Sequence, residues 1–220
     1  MTKLIAVVGM VSEARIVAGE GVTVVIGGGR SVALAERLEQ ALGQGAAGVI
    51  SFGLCGALDP ALEVGDILVA SSDPDWARRL IEGVPGARMA DITGSDQVIP
   101  DSDAKAELRR RTGAAAVDME SHIVARLARR HGVPFAALRA VSDTADRVLP
   151  KAARAGLRAD GEPDIFAVLK SLIADPRQLP ALIRTAFEAD AALRALVGAR
   201  HLLGPGIGRL DLGQHLVDVA

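Results

Sequence analysis

The 220-residue sequence has no tyrosine, one tryptophan, four phenylalanines and one cysteine. So few rings leave little to stack on unpaired bases, which argues against a single-strand nucleic-acid binder. Nor is there a basic surplus: 25 Lys and Arg face 27 Asp and Glu, a net charge of -2, whereas a protein built to hold nucleic acid needs an excess of cations. Cys55 alone makes neither a disulfide framework nor a cysteine-rich metal site, and the four histidines form no H-x-x-x-H pair, so no metal is expected. The longest uncharged stretch, Gln40 to Leu58, is studded with glycine and reads as turn plus buried strand, not as a membrane span. The apolar N-terminus lacks a small-x-small cleavage site and reads as a first strand, so the expected location is cytoplasmic.

Half of the residues are apolar, which excludes disorder and allows a full core. Short apolar runs of the buried-strand kind fall at Leu4–Val8, Val22–Ile26, Gly48–Phe52, Asp66–Ala70, Ala114–Val117 and Phe135–Val141. Helical spacing falls between them, at Ser31–Leu42, Asp75–Ile81, Ser102–Arg111 and Glu120–His131, the last stopped by Gly132 and Pro134. This alternation predicts an α/β fold with helices on both faces of a central sheet. The pattern changes after Val148. Residues 1–148 read as the α/β domain, 149–203 as its helical C-terminal extension, and 204–220 as a loosely packed tail. Within the extension, Leu182, Ile183, Ala186, Phe187, Leu193, Leu196 and Val197 form one apolar stripe.

Ligands of open α/β sheets gather at the carboxyl ends of the strands. The polar residues there are Glu13 and Arg15, then Gly27-Gly28-Gly29-Arg30, then Asp118 and Glu120, and finally Ser142, Asp143 and Asp146. A partly desolvated carboxyl group on such a rim can serve as a general acid. Each has a plainer reading too. Asp118 and Glu120 suit the positive end of a helix, Ser142-Asp143 suits a turn or cap, and Glu13 suits the surface of a first helical turn. The glycine run is not G-x-G-x-x-G, which leaves a dinucleotide-dependent oxidoreductase without its motif. Cys55 reads as a small buried hydrophobe.

Three segments together resemble the nucleoside phosphorylase family, especially its methylthioadenosine/S-adenosylhomocysteine nucleosidases. They are Phe52-Gly53-Leu54-Cys55-Gly56-Ala57-Leu58 running into Leu62-Glu63-Val64-Gly65-Asp66-Ile67, then Val117-Asp118-Met119-Glu120, then Val133-Pro134-Phe135 through Arg139 to Ser142-Asp143-Thr144-Ala145-Asp146. The resemblance implies a three-layer α/β/α fold with a central mixed sheet. It implies that Asp143 protonates the departing purine and Ser142 orients it, that Glu120 binds the ribose hydroxyls with Met119 against the sugar, and that Gln97 and Val98 lie by the base. Glu13 matches the glutamate that activates water in the nucleosidases. The phosphorylases instead hold phosphate with an arginine where this chain has Ser51. That leaves Arg15 and Arg30, with Gly28 and Gly29, as phosphate candidates at a glycine turn opening a helix. The C-terminal section looks like that of hopanoid-associated phosphorylases. This implies phosphorolytic release of adenine from adenosylhopane, with inorganic phosphate as co-substrate and no other cofactor, a lipid-linked nucleoside, contact with the inner membrane surface, and a homodimer. Hydrolysis of a 5′-substituted adenosine is the alternative, and a nucleotide-binding module without turnover is a third reading.

Overall fold

The computed structural model describes residues 3–154, 161–162 and 164–208. The elements run β1 (Leu4–Val8), α1 (Val11–Val17), β2 (Val22–Ile26), α2 (Ser31–Gly43), β3 (Gly48–Ala57), β4 (Ile67–Ser71), α3 (Pro74–Gly83), β5 (Arg88–Met89), β6 (Ile92–Gly94), α4 (Ser102–Thr112), β7 (Ala116–Asp118), α5 (Ser121–Arg130), β8 (Phe135–Asp143), α6 (Lys151–Arg154), α7 (Ile165–Ala174) and α8 (Leu179–Leu203).

β1 shows how the chain sorts itself. All five of its residues are buried, and the pleat sends alternate side chains to opposite faces. Leu4, Ala6 and Val8 join Phe52, Leu138, Trp76 and Leu196 on one face, under α1, α3 and α8. Ile5 and Val7 join Val49, Leu34, Leu38, Ile123 and Leu127 on the other, under α2 and α5. The result is the expected three-layer arrangement around a mixed sheet of eight strands, with the order β2-β1-β3-β8-β4-β5 and with β7 paired to both β3 and β6. β1, β2, β3 and β8 are mutually parallel where they pair; β4 runs antiparallel to β8, and β7 antiparallel to β3.

The two longest strands reach beyond their expected ends. The glycine-containing segment after Phe52, beyond the expected end of the third strand, is the second half of β3, held by pairing to β8 on one edge and β7 on the other. Ser142 and Asp143, read as a turn or cap, are the last residues of β8. Partners on neighbouring strands, and not local propensity, extend both strands. A register shift between Cys55 and Gly56 sets Gly56 opposite Asp143. β5 and β6 have no counterpart in the sequence pattern, and α1 has only the first helical turn at Glu13.

Of the C-terminal stripe only Leu196 is fully buried; Leu182 and Leu193 are half-buried, and Ile183, Ala186, Phe187 and Val197 are exposed, so α8 meets the sheet instead through Ala192, Leu196 and Ala199. The tail starts firmly packed: Ile207 is buried, and the Trp76 indole donates to its carbonyl at 2.9 Å. This corrects the expectation of loose packing for residues 204–208; residues 209–220 lie outside the described residues.

Candidate active site

The carboxyl ends of β1, β3, β7 and β8 surround a cavity of about 180 Å³. Of the residues singled out in the sequence, Glu13, Gln97, Val98, Met119, Glu120, Ser142 and Asp143 all line it. Gln97 and Val98 come from the exposed stretch after β6 and form the outer part of the wall.

Glu13 is buried at the start of α1 rather than lying on its surface. Its Oε2 accepts from the amides of Gly9 (2.8 Å) and Met10 (2.9 Å), and its Oε1 accepts from the amide of Leu54 (2.8 Å). The carboxylate thus ties the end of β1 to the middle of β3. Two glycines make room for the acids. A Cβ on Gly9 would come within 2.8 Å of Glu120 Oε1, and one on Gly53 would run into Glu13 while 2.9 Å from Arg139 Nη1. Gly53 also has a φ of 151°, which disfavours any side chain.

Asp118 and Glu120, two residues apart, do different work. Asp118 caps α5, as the plainer reading had it: its carboxylate accepts from the amides of Glu120 (3.3 Å) and Ser121 (3.0 Å) and from the Ser121 hydroxyl. Glu120 faces the cavity and pairs with Arg139 Nη2 at 3.2 Å. Arg139 is the residue the sequence reading quoted without giving it a role. Its side chain is 1% exposed in the middle of β8. Its Nε lies 2.7 Å from Asp118 Oδ2, a charge contact without hydrogen-bond alignment, and its Nη2 donates to the Ser51 hydroxyl. One buried cation therefore serves Asp118, Glu120 and Glu13.

Three carboxylates around one guanidinium leave an excess of negative charge out of water. Burial pushes the Glu120 carboxyl up to about 7; Arg139 opposes this, while Asp118 and Glu13 add to it. Burial likewise raises Glu13, against the Arg139 charge and its three backbone donors.

Asp143 stands over Gly56, where a Cβ would lie 3.1 Å from Oδ2. Ser142 Oγ is 2.9 Å from Asp143 Oδ1 and 3.2 Å from the Cys55 carbonyl. A partner that no sequence signal marked is Lys105. It stands in the charged helix α4, yet it is 1% exposed; its Nζ donates to Asp143 Oδ2 and, at 2.7 Å, to the Thr144 carbonyl. Cys55 is buried, which pushes its thiol up and suits the inert reading.

The phosphate candidates do not join these residues. Arg15 is 77% exposed, lines a different depression with Arg200 and His201, and lies 3.9 Å from Glu162. Arg30 is exposed at the start of α2. Gly28 and Gly29 lie outside the cavity lining, and the turn uses its amides internally: Gly27 donates to Val8, Gly28 to Gly9 and Arg30 to Gly27. The glycine turn is thus bonded to the end of β1. Among the described residues, no group of three or more His, Cys, Asp and Glu is placed to hold a metal ion.

The family model of the phosphorylase superfamily matches residues 70–188, more than half of the chain. The chain belongs to the phosphorylase superfamily. Solved structures with the superfamily fold cover nearly the whole chain. A 5′-methylthioadenosine/S-adenosyl homocysteine nucleosidase from Campylobacter jejuni is 18% identical, with a TM-score of 0.59, over 90% of this chain and 100% of that one. The futalosine hydrolase of Helicobacter pylori is 18% identical, with a TM-score of 0.58, over 90% and 97%. The nucleosidase of Colwellia psychrerythraea, in complex with adenine, is 17% identical, with a TM-score of 0.56, over 90% and 96%. No curated protein sequence matches the chain. Among the described residues, no helix of this superfamily member is long and apolar enough to cross a membrane.

Proposed function

We propose that the protein hydrolyses the N-glycosidic bond of a 5′-substituted adenosine, with water as the nucleophile. The observation that carries this reading is the charge of the cavity. Its buried arginine is already shared among three carboxylates. A phosphate dianion would enter a site with surplus negative charge and no uncommitted arginine, whereas neutral water meets no such barrier. The names of the similar structures, nucleosidase and hydrolase, agree with water.

In this mechanism Asp143, oriented by Ser142, delivers a proton to purine N7 as the C1′–N9 bond breaks and its electron pair passes into the base. The sugar becomes cationic. Glu120, held by Arg139, accepts from the ribose hydroxyls and stabilises that charge, with Met119 packed on the sugar. Glu13 takes the proton of the water that adds to C1′. Gln97 and Val98 close over the base. The products are adenine and a 5′-substituted ribose.

A second reading, phosphorolysis of adenosylhopane, draws support from α7. That helix buries none of its residues and exposes Ile165, Phe166, Leu169 and Ile173, with Lys170 and Arg177 nearby. Such a face suits an apolar 5′ group or an anionic bilayer surface. It lies along the chain from Val148, exposed, and Leu149, which lines the cavity. The homodimer implied by the family resemblance, the cytoplasmic location and a single domain made of residues 1–148 and their extension belong to the proposal under either reading.

One assay separates the readings. Adenine release is followed from adenosine, methylthioadenosine, S-adenosylhomocysteine and an adenosine with a large apolar 5′ group, with and without phosphate. We expect phosphate-independent release and a free reducing sugar. Release that requires phosphate and yields a sugar phosphate overturns hydrolysis, and no release from any of them leaves a binding module.

A further inference from the structure

Lys105, paired with Asp143, is the residue of the cavity to which neither the sequence motifs nor the superfamily match gives a role. The other three lysines, Lys3, Lys151 and Lys170, are exposed; Lys105 alone is withdrawn from water. Burying an ammonium without need is unfavourable, and an apolar pair of similar size is often at least as stable. The pair also sits in the cavity wall rather than deep in the core. Lys105 is carried into place by the first turn of α4, which Asp101 caps through the Ala104 amide at 2.9 Å.

We propose that Lys105 supplies, through Asp143, the proton that the departing purine takes up. This inference rests on the nucleosidase reading. An ordinary aspartic acid is almost wholly ionised at neutral pH and has no proton to give. An ammonium hydrogen-bonded to its carboxylate gives the pair one transferable proton. As the C1′–N9 bond breaks, Nζ passes a proton to the Asp143 carboxylate, and the carboxyl group passes one to N7. Lys105 is left as the neutral amine and Asp143 as the carboxylate. Solvent recharges the amine, and the proton of the attacking water leaves from Glu13, so charge and atoms balance over the cycle. Lys105 acts through Asp143 and is a positioning residue in that sense.

The charged and titratable groups around the pair come from several elements. Asp146 follows β8 and feels the Lys105 charge, as does Cys55 on β3. Asp118 on β7 and Arg139 on β8 are engaged with each other, while Glu13 and Glu120 line the same cavity. On α4 itself, Arg109 pairs with Asp59 and reaches the Leu58 carbonyl, and Asp101 is the cap. Among the described residues, the hydrogen-bond partners of the Asp143 carboxylate are Lys105 and Ser142.

The test compares kcat for adenine release between about pH 5 and 9 in wild type, Lys105→Arg and Lys105→Gln, with melting curves for each. Arginine keeps the charge and the donors but does not release a proton. We expect Lys105→Arg to lose on the order of 10²-fold or more at every pH. We expect Lys105→Gln to lose as much at high pH and to close the gap to wild type as the pH falls towards the range where a carboxylic acid carries its own proton, with KM little changed in both. Lys105→Arg activity within a few-fold of wild type, or a Lys105→Gln profile parallel to that of wild type, overturns the proposal. If Lys105→Gln does not fold, Lys105→Arg decides alone. Failure of the nucleosidase reading would be seen separately: wild type itself would then release no adenine at any pH, and the inference would fall with it.

Discussion

Glu120 makes stability and activity pull against each other across neutral pH. Its carboxyl holds its proton to about 7 in the folded protein because burial disfavours the charged form, whereas an unfolded chain releases that proton near 4.5. A carboxyl raised on folding stabilises the protein fully at low pH, and that stability is lost as the pH climbs through the folded value. Going from about pH 4.5 to about pH 8 should therefore lower the unfolding free energy by about 3 kcal/mol from this group alone. Glu13, also raised, acts in the same direction. The carboxylates that are lowered, such as Asp59 and Asp96, have the opposite sign, but their contribution is lost only as the pH falls below the ordinary carboxylate range. Urea unfolding at a series of pH values measures the slope directly. The single tryptophan, Trp76, is fully buried and no tyrosine contributes, so its emission reports global unfolding. Glu120→Gln cannot ionise. It should match wild type near pH 5 and be more stable by roughly 2–3 kcal/mol near pH 8, while losing base release at both. Wild-type kcat/KM should fall as the pH drops below about 7, because the ionised carboxylate is the form that stabilises the cationic sugar. A wild-type stability that is flat between pH 5 and 8, or the same slope in Glu120→Gln, would refute the reasoning.

Asp143→Asn should fold normally and lose on the order of 10²–10⁴ in kcat, the scale of a general acid; activity within a few-fold of wild type in the adenine assay would remove its role. Arg139→Met should destabilise the protein by about 3–5 kcal/mol at neutral pH, since it leaves buried carboxylates without their cation, and part of that loss should be recovered in acid, as urea titrations at two pH values would show. Gly9→Ala should barely change the melting temperature yet lower kcat by about 10-fold or more, because its Cβ would displace Glu120 Oε1 and small misplacements of catalytic groups are expensive. An unchanged kcat would show that the Glu120 position is not tightly required.

What the sequence discloses about this protein follows the range of the interaction involved. Leu4–Val8 is legible to the residue because its burial is written into five consecutive apolar side chains, and Val22–Ile26, of which only Val25 is fully buried, because its β-branched run favours a strand. The ends of β3 and β8 are not, because Gly53, Gly56, Ser142 and Asp143 are poor strand formers that become strand only through their neighbours in the sheet. The same division runs through the cavity. Glu120, Ser142 and Asp143 stand within short motifs and can be picked out from the chain. Glu13 is found by position, but its burial depends on amides from β1 and β3 that come together only on folding. Arg30 and the glycine run have the local chemistry of an anion site, but the fold sets them outside the lining of the cavity that gathers the acids. Lys105 and Arg139, the two cations that set the charge of the cavity, meet their partners 38 and 21 residues away, at Asp143 and Asp118. No local pattern ties either one to its acid. Electrostatic design of this kind is a property of the folded sheet, in which carboxylates from β7, β8 and α1 are brought to one rim and each cation's place becomes defined only when its counter-charges arrive. The motifs name the acids; the pairings that decide whether each acid holds or releases its proton, and hence whether phosphate or water can approach the sugar, lie across strands.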